Sequence, residues 1–238
     1  MKNKIRCWHV SDTHMNHDQL VVPDNIDIMF HTGDATNWRD PYRNEYEMRK
    51  FLTWFNNISI PSKVFVAGNH ETSIERGLID KSFIENLGIH YLFNETIEIE
   101  GLKIWGSPHT PTFGDWAFMK SRQKIGIVWD SIPDDTDIVA THGAPRGILD
   151  LTYNNHSNNV EMCGDISLLK RMKSIEPKAV LFGHIHNVKD VINAGTKVLS
   201  GGKTIFSNAT CIDDGKRGKI TSNGNIIELF NTNLNIEQ

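Results

Sequence analysis

Cysteine is scarce. The 238 residues contain three, Cys7, Cys163 and Cys211, odd in number and far apart. That spacing leaves no basis for a disulfide framework or a CxxC zinc clamp. Long apolar runs are missing as well: none approaches the roughly 20 residues a membrane helix needs. Residues 1–10 have no signal-peptide apolar stretch. A basic excess is also lacking, since 25 Lys plus Arg face 29 Asp plus Glu, a formal charge of −4. This argues against a protein that coats nucleic acid through its phosphates, though not against an enzyme acting on nucleic acid locally. There is no low-complexity tract, internal repeat or Pro/Gly linker. The expectation is a cytoplasmic protein of a reducing compartment, without a membrane partner, forming one domain over residues 1–238.

What is present is a core and an unusual supply of histidine. Hydrophobic residues make up 39%, with six Trp and eleven Phe, and there are eleven His, the commonest transition-metal ligand. Ile5–Val10, Ile28–His31, Val64–Ala67, Ile138–Ala140 and Ala179–Phe182 are short apolar runs that read as buried strands. Asp40-Pro41 opens a helix whose face carries Met48, Phe51, Leu52, Phe55 and Ile58. A second helix ends at Leu87-Gly88, and a third spans Ile166–Ile175, before Pro177. Thr96–Glu100 and Leu102–Trp105 around Gly101 read as a hairpin, as do Lys219–Thr221 and Ile226–Phe230 around Asn223-Gly224. The Asn-rich stretch Thr152–Asn159 reads as a polar loop.

All five apolar runs finish in residues able to bind a metal. They lead into Ser11-Asp12-Thr13-His14, Thr32-Gly33-Asp34, Gly68-Asn69-His70-Glu71, Thr141-His142-Gly143 and Gly183-His184-Ile185-His186. In α/β sheets, sites form outside the carboxyl ends of strands, and glycines there let the backbone turn sharply and approach a ligand. One such His is most simply a satisfied polar residue. Five strand ends carrying such groups in one chain point to a metal site.

The ordered series Asp12-x-His14, Gly33-Asp34, Gly68-Asn69-His70-Glu71, His142 and Gly183-His184-x-His186 resembles the calcineurin-like metallophosphoesterase superfamily. Trp105-Gly106-Ser107-Pro108, Trp116-Ala117-Phe118 and Thr141-His142-Gly143-Ala144-Pro145 look like its small branch of metallophosphoesterase-domain-containing proteins. The resemblance implies an α/β (α+β) fold, a four-layer αββα sandwich of two mixed sheets flanked by helices. It also implies two divalent transition-metal ions. One would be held by Asp12, His14, Asp34 and His186, the other by Asp34, Asn69, His142 and His184. A metal-bridging hydroxide would attack phosphorus, and His70 would protonate the leaving alkoxide. The mixed N and O donors suit Mn, Fe, Zn, Co or Ni, with Mn the choice for activity in vitro.

Other motifs fail on inspection. Gly202-Lys203-Thr204 lacks the earlier P-loop glycine, since Lys197 stands there, and Ile74 occupies the second His position of HExxH. No Asp-Arg-Gly follows Gly33-Asp34, unlike Ser/Thr phosphatases, and Asn37 stands where purple acid phosphatases would need Tyr. His17, His109, Arg146 and His156 are open as pocket residues. Arg146 reads equally as a fork on phosphate oxygens or a solvated side chain; His109 leans to the pocket and His156 to an exposed loop. His9 and His31 read as core histidines and His90 as surface. The functional expectation is a dinuclear phosphodiesterase acting on a small-molecule or nucleotide phosphodiester. Its rivals are a nuclease, a phosphomonoesterase or protein phosphatase of the same superfamily, and a catalytically silent metal-binding scaffold.

Overall fold

The computed structural model describes residues 4–154, 159–215 and 218–230. Eleven strands build its two large sheets. In the first half they are β1 (Lys4–Val10), β2 (Ile28–His31), β3 (Ser62–Phe65), β4 (His90–Tyr91), β5 (Glu95–Ile99) and β6 (Leu102–Ser107). In the second they are β7 (Ile138–Thr141), β8 (Ala179–Phe182), β9 (Gly195–Val198), β10 (Ile205–Asn208) and β11 (Asn225–Phe230). The principal helices are α1 (Pro41–Asn57), α2 (Lys81–Glu85), α3 (Gly126–Asp130) and α4 (Ile166–Ile175).

The first sheet runs β11-β1-β2-β3-β4 and the second β9-β10-β8-β7-β6-β5. Each has a parallel centre. β1 pairs with β2 from Cys7↔Ile28 to Val10↔His31, and β8 pairs with β10 from Ala179↔Ile205 to Phe182↔Asn208. β11, β5 and β9 are the antiparallel edges. Parallel centres send the carboxyl ends of neighbouring strands to one rim, which is where a site can form.

Period-two alternation separates the layers. Ile5, Cys7, Ile28, Phe30, Val64 and Val66 meet Ile104, Ile138, Ala140, Ala179 and Leu181 between the sheets. The intervening residues Trp8, Met29, Phe65 and Ala67 point the other way, against Met48, Phe51, Leu52 and Phe55 of α1. On the far side Trp105, Val139, Val180 and Phe182 pack on Trp129 of α3 and on Leu168 and Met172 of α4. The result is the four-layer αββα sandwich. Replacing a buried Phe such as Phe51 with Ala would cost ~3–5 kcal/mol.

Local chemistry sets the helix ends. The Asp40 carboxylate accepts from the Arg43 amide with Pro41 at the first helical position, and the Asp165 carboxylate accepts from the Leu168 amide. Gly88 (φ +72°) follows α2, and Glu176 takes a left-handed conformation before Pro177. No helix among the described residues is long and apolar enough to cross a membrane.

Three expectations are corrected. β3 ends at Phe65, two residues earlier than the apolar run. Lys219–Thr221 forms no strand; β11 pairs instead with β1, from Lys4↔Phe230 to His9↔Asn225. The Asn223-Gly224 pair serves a different purpose: the Asn223 amide group bonds the Val21 main chain, and Gly224 (φ +72°) lies against the His9 carbonyl, where a Cβ would collide. Thr152 and Tyr153, at the start of the expected polar loop, belong instead to a strand, Leu151–Tyr153, that pairs antiparallel with Val160–Met162, and 155–158, His156 among them, lie outside the described residues.

Candidate metal centre

Loops leaving β1, β2, β3, β7 and β8 converge at one rim. Asp12, His14, Asp34 and His184 all adopt left-handed backbone (φ +52°, +42°, +55° and +68°). Non-glycine residues rarely do this, and such strain concentrates at sites that need a fixed side-chain direction. Close approach is possible because of glycine. A Cβ on Gly68 would strike Asp34 Oδ1, and one on Gly183 would strike Ser11 Oγ and Asp12 Oδ2.

Asp12 and Asp34 are buried acids. Both oxygens of Asp12 face the His184 amide, at 3.0 and 2.9 Å, and Oδ1 lies 3.3 Å from His186 Nε2. Asp34 divides its oxygens: Oδ1 accepts from the His70 amide at 2.8 Å, while Oδ2 faces His142 Nε2 at 3.3 Å and His14 Nε2 at 4.0 Å. Asn69 Oδ1 is 3.0 Å from the same His142 nitrogen. Donor atoms of Asp12, His14 and His186, of His14, Asp34 and His70, and of Asp34, His142 and His184 lie within 4.8 Å of one another in each group.

The histidine tautomers are set from behind. His14 Nδ1 donates to the Thr36 carbonyl (3.0 Å) and His142 Nδ1 to the Thr32 carbonyl (2.8 Å). His186 Nδ1 lies 3.0 Å from Asp214 Oδ1. Each Nε2 is therefore left to face the acids. A bare His142 Nε2 against Asp34 Oδ2 and Asn69 Oδ1 is three acceptors meeting, an arrangement that requires a proton or a shared cation. Burial alone would lower the His142 pKa, but the charge of Asp34 and the hydrogen bond to it raise it to about 9. His186 is raised to about 10 against burial by its bonds to Asp12 and Asp214. The hydrogen bond and charge of His186 hold Asp12 at about 2 despite burial, and the charge of His142, with His70 and His14, holds Asp34 well below the usual carboxylate range. His14 and His184 are pushed down by burial, to about 4 and about 3. Imidazole nitrogens beside ionised carboxylates form a donor set that fits divalent cations of the Mn-to-Zn kind, which would take the place of the protons on His142 and His186.

Two adjoining cavities of about 670 and 220 Å³ open over these groups. Both are lined by His14, His70, Trp116, His186 and Asp214, and the smaller also by Asp34, Asn69 and His184. The His70 ring lies 4.4 Å from that of Trp116, and its Nδ1 donates to the Asn37 carbonyl at 3.2 Å.

The seven expected ligands and His70 are thus brought together. Arg146 and His109 are not brought to the cavities. Arg146 is exposed and donates to the Met162 carbonyl; His109 is buried and tied by Nδ1 to the Phe118 carbonyl. His17 packs on Phe51 and Trp54. His9 sits between Ser207 and Thr32, and His31 against Thr13, buried and hydrogen-bonded.

Sequence reasoning left Glu71 without a role. Its buried carboxylate accepts from the amides of Gly68, Asp34, Ala35 and Thr36 and from the Thr36 hydroxyl, pinning two loops at once. Its position directly after His70 in the motif was the available signal. Trp116 also stood in a quoted motif, whereas Asp214 carried no signal.

The family model for calcineurin-like phosphoesterases matches residues 5–188, which include all eight of these groups. Human metallophosphoesterase domain-containing protein 1 is 30% identical over 225 residues, 84% of this chain and 64% of its own length. This chain therefore spans just under two thirds of that relative. A UPF0046 protein of Caenorhabditis elegans is 31% identical over 229 residues, covering 89% of this chain and 77% of its own. One solved structure superposes with a TM-score of 0.58 at 13% identity, covering 87% of this chain and 90% of that one, a likeness of fold. With strand-end chemistry, layer order and these relatives in agreement, the chain belongs to the calcineurin-like phosphoesterase family, in the branch of the metallophosphoesterase domain-containing proteins.

Proposed function

We propose that this chain is a metal-dependent phosphodiesterase with two divalent ions. Asp12, His14, Asp34 and His186 would hold one, and Asp34, Asn69, His142 and His184 the other. The observation that carries the reading is the placement of Asp34 Oδ2 between His142 Nε2 at 3.3 Å and His14 Nε2 at 4.0 Å, with Oδ1 already engaged elsewhere. That nearness to both histidine groups supports Asp34 as the residue that two ions would share. When bound, such a pair of ions supplies an ionised water and charge neutralisation for the phosphoryl group.

The remaining steps belong to the chain's own residues. His70 lines both cavities, and its Nδ1–H is committed to Asn37. Its Nε2 is the nitrogen that would hold the proton delivered to the leaving oxygen, help worth on the order of 10²–10⁴ in rate. Trp116 beside the ring limits its rotation. Among the described residues lining the cavities there is no Lys or Arg, while Asp214 lines both. That charge pattern favours a singly charged diester over a monoester dianion.

The test is metal-reconstituted turnover of matched bis-nitrophenyl and mononitrophenyl phosphates under one metal and one pH. A higher kcat/KM for the diester is expected, with inorganic phosphate inhibiting competitively. A clear monoester preference would overturn the diesterase assignment. A chain that binds no transition metal would overturn the metal centre as well.

A further inference from the structure

We infer that Asp214 is a positioning residue for His186, acting through Nδ1 to set the strength and direction of that histidine as a metal donor. The inference rests on the dinuclear reading above and adds a residue from outside 5–188, the range that the family model matches.

The fold explains how a residue 28 positions downstream reaches His186. β8 and β10 are parallel neighbours, so the segments leaving them continue side by side along the rim. Pairing extends beyond both strands through the bridge Asn187↔Asp213, while Ser11↔Thr210 ties the segment after β10 to the end of β1. The Asp214 amide donates to the Asn187 carbonyl at 2.9 Å, and the Asn187 side chain donates to Asp213 Oδ1 at 2.9 Å. Asn193 holds the other side of the loop by donating to the His186 carbonyl at 2.8 Å. With the backbone registered in this way, Asp214 Oδ1 falls 3.0 Å from His186 Nδ1, and Nε2 of the same ring is left facing Asp12 Oδ1 at 3.3 Å.

The contrast with the other histidines makes the contact more than incidental. His14 and His142 use main-chain carbonyls behind Nδ1, which fix the tautomer but add no charge. Behind His186 stands a carboxylate. A carboxylate accepting from Nδ1–H makes Nε2 a stronger donor and holds the ring plane, and loss of such a partner typically weakens metal binding about 10–100-fold. Asp214 also lines both cavities, so the carboxylate is set at the edge of the site.

The experiment is a Mn²⁺ and Co²⁺ titration of the full chain, wild type against Asp214→Asn and Asp214→Glu. Stoichiometry, both dissociation constants and the Co²⁺ visible absorption are read, together with the metal-free thermal midpoint. Asn keeps an acceptor oxygen at nearly the same place but removes the charge. The expected result is two ions per chain throughout, with one binding step weakened about 10–100-fold in Asp214→Asn and the other unchanged. The Co²⁺ band should shift, and Asp214→Glu should recover part of the affinity. Glu228→Gln, a remote acid paired with Lys4, should leave both steps alone. Both dissociation constants unchanged in Asp214→Asn would overturn the inference while leaving the dinuclear reading intact. Equal weakening of both steps with a lowered metal-free midpoint would make Asp214 merely structural. A wild-type chain that binds no ion would remove the reading itself, and the inference with it.

Discussion

The two sheets bring different chemistry to the same rim. From the first come the two acids of the proposed ligand set, Asp12 and Asp34, the amide of Asn69, and His14 and His70; from the second come His142, His184 and His186, with Asp214 behind His186. The loops are also held differently. On the first sheet a single buried carboxylate, Glu71, gathers four amides and a hydroxyl from two loops. On the second the work is divided. Asn208 donates to the carbonyls of Leu149 and Ile185, Asn193 holds the His186 carbonyl, and Asp150 accepts from the amides of Gly147 and Gly164. An anionic half built of buried acids has to be surrounded by N–H donors and cations, or its charges could not be buried. A half whose proposed ligands are all histidines buries no ligand carboxylate, and its loops are tied by the amide side chains of Asn208 and Asn193 together with Asp150. The first-sheet side of the centre is accordingly held mainly by one carboxylate, with Asn44 bonding Thr36, Trp38, His70 and Ser73 behind it, and the other side by several residues.

The sharpest way to break this comparison is at the bridge. Asp34→Asn removes the charge that, in the proposed centre, both ions would share. It should release both ions more readily than Asn69→Ala, and lower turnover by several kcal/mol of lost charge stabilisation, on the order of 10³ in rate. Elemental analysis after Mn reconstitution checks the first, and kcat/KM the second. Loss of one ion only would mean that Asp34 belongs to the first half alone.

His70 comes next, because it stands on the first-sheet side but is outside the ligand set. His70→Ala should keep its metal and lose on the order of 10²–10⁴ in turnover of alkyl diesters. Nitrophenyl diesters should lose far less, since nitrophenolate leaves without a proton. Equal losses for both would argue against a leaving-group acid, and loss of metal would make His70 a ligand, consistent with its nearness to His14 and Asp34.

The rigidity difference is tested by Glu71→Gln against Asp150→Asn. Gln replaces one accepting oxygen with an NH₂, so two buried amides lose their acceptor at ~1–3 kcal/mol each, whereas Asn at 150 can keep its single oxygen on the two amides that Asp150 Oδ2 holds. Burial and the Asp34 charge already raise the Glu71 pKa, so the backbone donors are what keep this carboxyl useful. Urea unfolding should show a larger loss for Glu71→Gln than for Asp150→Asn, and metal affinity should fall more as well. The reverse order would remove the single-staple description of the first sheet.

Much of this was legible in the sequence because it is local. A strand that ends in Gly and a polar residue carries its own signal, and the short apolar runs of β1, β2, β7 and β8 marked them as buried strands. Pairing across long separations is not local. Asn223-Gly224 has hairpin chemistry, yet β11 finds β1 more than two hundred residues away, because Ile227 and Leu229 fill the space between the sheets. β9 and β10 were missed because Gly-Thr-Lys-Val and Ile-Phe-Ser-Asn hardly alternate. Asp214 was invisible for a similar reason: only the register of β8 and β10 brings it to His186. Glu71 was visible as a letter but not as a role, since its partners are backbone amides.

A smaller effect separates core histidines from rim histidines. Burial lowers His9 and His31 to about 3. A histidine depressed in the folded state adds stability that is complete above its ordinary value near 6.5 and is lost as pH falls towards 3. His142 and His186 are raised in the metal-free chain, so their contribution is complete below 6.5 and is lost as pH rises through about 9 and 10. Metal-free stability measured by denaturant from pH 4 to 10 should therefore peak near neutrality. His9→Gln should flatten the acid side without altering the alkaline side. An acid limb unaffected by that change would place the loss on the carboxylates instead.

The smallest expected effect is at Arg146, and it defines where the second-sheet half of the site ends. Arg146 follows the His142 loop closely, which made a phosphate-binding guanidinium an open reading. In the fold its Nη1 donates to the Met162 carbonyl at 3.0 Å, its side chain is exposed, and it lines neither cavity. To reach the metal pocket it would have to give up that bond and cross the loop. Exposed substitutions of this kind shift free energies by about 0.5 kcal/mol or less, so Arg146→Ala should leave kcat/KM and the inhibition constant for phosphate within about twofold of wild type. A loss of tenfold or more in both would show that the loop swings inward on substrate binding. The second sheet would then contribute a guanidinium as well as histidines, and the division between a half that supplies the ligand acids and a half that supplies only histidines would hold only for the substrate-free chain.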